Sequence, residues 1–174
     1  GLMLLWSGRA RGLHDLALIP AAGFVLRLLA EAEFRWPLAE AYAAADLTLR
    51  APETAGPATA ALLLAGAGAL SAAFAVRALR GAGHPVIMAL AAALVAPLAV
   101  AGLELRWMPA QVLGAYPWAL QVMVVAASMV AMALAFARAD GEERRRTAYP
   151  TLAALSLIAL ALALVMSDTA LTLA

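Results

Sequence analysis

Arg27 and Glu31 stand one helical turn apart in a stretch, Leu13 to Ala32, that is otherwise mostly apolar. Residues four apart share a helix face, so guanidinium and carboxylate can pair there. A charge inside a spanning segment points to an anion or proton pathway. It also has a plainer use: Arg27 is one to two turns from the end of its stretch, within snorkelling reach of the membrane surface. A second basic group, Arg144, Arg145 and Arg146, follows Asp140, Glu142 and Glu143 in a gap between two apolar stretches. Such a run can contact anionic lipid headgroups, or it can be a solvated loop that sets orientation.

Other reactive residue types are sparse. His14 and His84 each open an apolar stretch, and imidazoles at one membrane level could hold haem or copper. Neither belongs to a metal-spaced cluster, so no metal or cofactor site is expected. Asp15 suits a helix N-terminus through the dipole. Glu104 beside Arg106 reads as an interfacial acid, and Gln121 as a donor or acceptor between helices. Met123, Met129 and Met132 read as packing residues. There is no cysteine, which excludes disulfides and thiolate metal sites within the chain. No Ser–His–Asp set, phosphate-binding glycine loop or facing carboxylate pair occurs, so no catalytic residue is expected and the chain does not read as an enzyme.

The elements that would position these residues are five apolar stretches: 13–32, 58–76, 85–103, 118–137 and 150–167. Each has 18 to 20 residues, enough to cross a hydrocarbon core of about 30 Å at about 1.5 Å per residue. Hydrophobic residues make up 66% of the 174, and mean hydropathy is +0.90. A soluble domain is about half apolar and could not hide five such stretches. The expected fold is an all-α, polytopic transmembrane bundle with the lipid bilayer and other transmembrane helices as its surroundings. A net charge of +1 gives no reason to expect a nucleic-acid partner. The chain lacks Lys and Asn and is rich in Ala, Leu and Arg, a bias that fits a GC-rich bacterial genome.

Arginine orients the bundle. One set of gaps holds Arg9, Arg11, Arg77, Arg80, Arg138 and Arg144 to Arg146, eight in all, against Arg35, Arg50 and Arg106 in the other. By the positive-inside rule the first set is cytoplasmic, which puts the N-terminal loop inside the cell and Asp168 outside. Trp36, Tyr42, Trp107, Tyr116 and Trp118 gather toward the outer ends, as an aromatic belt would. Pro57, Pro85, Pro117 and Pro150 fit the first turns of helices, whereas Pro97 falls mid-span and should kink its helix.

Between the first two stretches, Leu38, Tyr42, Ala45 and Leu49 recur at helical spacing, which predicts an amphipathic surface helix over 37–50. Such a helix could serve as a connector or as a lid. The gap 104–116 predicts a shorter interfacial excursion, and Gly81-Ala82-Gly83 a tight hairpin. Gly66, Gly68, Ala69 and Ser71, with Ala126 to Ser128, mark close-packing faces. The opening GLMLLWSGRARG reads as the end of one span and the closing TALTLA as the start of another, so partial spans are expected at both ends.

The text YPWALQ at 116–121, the hinge EERRR at 142–146 and the phrase SDTALTLA at 167–174 form a recurring pattern of Ala/Leu-rich spans. In these, residues 118–174 resemble the large bacterial inner-membrane proteins classed as domain of unknown function 2339. The resemblance implies a longer parent chain with many spans and supplies no catalytic residues. The expected function is that of a structural or accessory segment, a scaffold or subunit in a larger membrane complex. The alternative is part of a transporter or flippase with a polar pathway near Arg27.

Overall fold

The computed structural model describes the backbone of residues 18–33, 56–81, 84–141 and 145–173, and the side chains of 18–30, 59–81, 84–141 and 145–166. The described residues form helices and no strand: α1 (Leu18–Glu33), α2 (Gly56–Leu79), α3 (Pro85–Trp107), α4 (Pro109–Leu113), α5 (Ala115–Asp140) and α6 (Ala148–Leu173). Four segments are long and apolar enough to cross a membrane: Thr59–Leu79, Pro85–Trp107, Ala115–Asp140 and Ala148–Met166. Helix α1 has 16 residues and a shorter apolar part, Leu18–Ala30. Four helices of spanning length are therefore described against five expected. Residues 13–17 of the first stretch, and the predicted surface helix over 37–50, lie outside the described residues.

Helix α6 continues without a break to Leu173. Asp168 thus lies within a helix, where the sequence suggested a gap. The physical reason is that Ser167, Asp168 and Thr169 lower helix propensity without stopping it, and no Gly or Pro follows.

Helix α3 is the axis of the bundle. It is the most buried of the four long helices and α6 the least. The closest packing joins α2 to α3 and α5 to α6, two antiparallel hairpins, while α1 and α6 also lie against α3. Ala89, Ala92, Ala93, Ala96 and Ala99 are buried along α3, with Gly102 continuing the face. Small side chains let neighbouring backbones approach, which is the main source of helix association in lipid. At Gly102 an added Cβ would lie 3.4 Å from Leu29 of α1, and at Gly66 of α2 it would meet the Phe24 ring at 3.6 Å.

Pro97 has no N–H, so the Ala93 carbonyl loses its usual partner within α3. One residue earlier, the Ala96 N–H donates to Ser71 Oγ of α2 at 3.2 Å. Ser71 is almost fully buried. Its hydroxyl therefore holds the two helices together beside the proline, beyond the packing role its size suggested. Replacing Ser71 with alanine should lower stability by about 1 kcal/mol. Thermal unfolding in detergent checks this, with Ser156→Ala as the control; the Ser156 hydroxyl is exposed and donates only to Ala153 O of its own helix. Equal effects of the two changes would refute the assignment.

Helix α3 ends where Met108 turns left-handed (φ 47°) and donates its N–H to Leu103 O at 3.1 Å. Pro109 then opens α4, and Gly114, at φ 93°, leads into α5. This turn, short helix and second turn make up the excursion expected over 104–116. Trp107 and Trp118 lie at this end of the bundle but are buried, 6% and 0% exposed, not spread at the lipid surface as a belt would be. Trp107 Nε1 donates to Leu28 O of α1 at 3.0 Å, pinning α1 to the end of α3.

Candidate functional site

The turn from α2 to α3 and the loop from α5 to α6 meet at one end of the bundle. Arg146 joins them. Its Nε donates to Asp140 Oδ1 at 2.7 Å, its Nη2 donates to the same oxygen, and its backbone N–H reaches Asp140 Oδ2 at 3.3 Å. Its Nη1 donates to Ala78 O of α2 at 2.6 Å. The guanidinium also lies 5.6 Å from the centre of the Phe136 ring, a cation–π distance. Ala78 is in the last turn of α2, where its carbonyl has no helical N–H to accept and is otherwise bonded by the Gly81 N–H at 3.3 Å. A positive side chain there complements the helix dipole.

Arg145 and Arg146 are thus not equivalent. Arg146 is turned into the protein, its side chain 17% exposed and that of Asp140 6%. Arg145 is exposed. Arg144 lies outside the described residues. Arg145, Arg146 and Asp140 line a groove of about 450 Å³, whose opposite wall is Leu79, Gly81, Pro85 and Val86. Arg80, His84 and Arg138 are exposed at the same end, whereas Arg77 is buried. The alternation of arginine-rich gaps along the sequence therefore appears in space as one basic end. The Asp140–Arg146 pair was not foreseen. A separation of six follows no helix-face rule, and the chain leaves α5 through Gly141, at φ 58°, before it reaches Arg146.

Arg27 is exposed on α1 and lines neither the groove at the basic end nor the furrow between α2 and α5. Glu31 is one turn further along α1, and its side chain lies outside the described set. His84 precedes α3 as its N-cap residue without a side-chain cap bond. His14 is outside the described residues. Among the described residues no three His, Asp or Glu side chains converge.

At the opposite end, Glu104 of α3 faces Trp118 of α5. Glu104 Oε2, Trp118 Nε1 and Gln121 Oε1 are buried, and none makes a hydrogen bond of good geometry within the described protein. Trp118 and Gln121 are three apart on one helix face. The sequence suggested an interfacial acid and an amide bonded between helices; the fold places both beside a buried tryptophan. From Gln121 inward, a furrow runs between α2 and α5. Its two parts, about 320 and 360 Å³, share Gly68 and Ser128, and small residues such as Ala61, Ala65 and Ala72 form one wall. The Ser128 hydroxyl is occupied, donating to Val125 O at 2.6 Å.

No family model, curated protein or solved structure matches the chain.

Proposed function

We propose that the chain is a structural or accessory segment of a bacterial inner-membrane protein, packed as scaffold helices within a larger assembly. The observation that carries this reading is the distribution of polar groups. Arg146 ties the α5–α6 loop to α2, and Arg27 lines neither the groove at the basic end nor the furrow between α2 and α5. The outer face of α6 exposes Leu152, Leu155, Leu162 and Met166, a surface suited to lipid or to further helices. In this reading five complete spans cross the bilayer, with the N-terminal loop and the Arg146 end cytoplasmic. The resemblance of residues 118–174 to the domain of unknown function 2339 proteins accords with more spans in a longer chain. The second reading is a transporter or flippase segment, favoured by the furrow beside Gln121.

Single cysteines separate the two, because the chain has none of its own. With Arg80→Cys and Glu142→Cys, a membrane-impermeant thiol reagent should label only opened cells. Labelling of intact cells would overturn the orientation. With Ser128→Cys, the scaffold reading expects protection from the reagent on both sides of the membrane. Rapid labelling there would replace it with the transporter reading.

A further inference from the structure

We draw no further inference here: the strongest candidate, the furrow between α2 and α5 that runs from Gln121 past Gly68 and Ser128 to Ala135, is an apolar groove walled by small residues, and nothing in the structure shows what covers it.

Discussion

Arg146→Gln should separate the two hairpins at their basic end and lower stability by about 2 kcal/mol, a large loss for a part-buried residue. Removing the guanidinium leaves the part-buried Asp140 carboxylate without its partner, takes one of two donors from the Ala78 carbonyl, and uncovers the Phe136 face. Asp140→Asn should cost less, because Arg146 keeps Ala78 and Phe136. The double change Asp140→Asn with Arg146→Gln should cost clearly less than the sum, since residues in one network are coupled. Arg145→Gln, one position away but exposed, should unfold within about 0.5 kcal/mol of the parent. Chemical or thermal unfolding in detergent measures all four. Additive losses would mean that Asp140 and Arg146 act separately, and the tie would be abandoned.

Ala96→Leu should have an effect of similar size by the opposite route. Ala96 is fully buried where α3 meets α2, one residue from Pro97 and bonded through its N–H to Ser71. A larger side chain would push the two helices apart, with overpacking that costs about 3 kcal/mol and breaks the Ser71 bond as well. The expected result is a polydisperse species on size exclusion and a large fall in the unfolding temperature. Leu98→Ala is the contrast, being two residues away but half exposed. It should leave the chain monodisperse. If Ala96→Leu were tolerated as well as Leu98→Ala, α3 would not be the close-packed axis.

Much of this architecture could be read from residue order, because lipid leaves the backbone few options. A run such as Pro85–Leu103 must satisfy its polar backbone internally, so length and hydropathy suffice to propose a helix. Helix ends were less legible. Helix α5 runs to Asp140 and α6 through Asp168 because helices outlast their apolar segments, and hydropathy marks only the latter. The alternation of arginines anticipated that Arg80 and Arg145 would share one end. Which arginine would turn inward was not legible. Arg144, Arg145 and Arg146 are chemically identical, and the choice depends on where Ala78 and Phe136 come to lie. Trp107 and Trp118 show the same limit. Their positions near helix ends suited a lipid-facing belt, yet the indole N–H of Trp107 found a carbonyl on α1 and the Trp118 ring a place in the core.

The bond from Arg146 to Ala78 spans 68 positions, and that separation imposes a schedule on biogenesis. A ribosome releases Ala78 well before Arg146, so the first hairpin must persist through early insertion with that carbonyl held only by the Gly81 N–H. Closure waits until the last long helix begins to emerge.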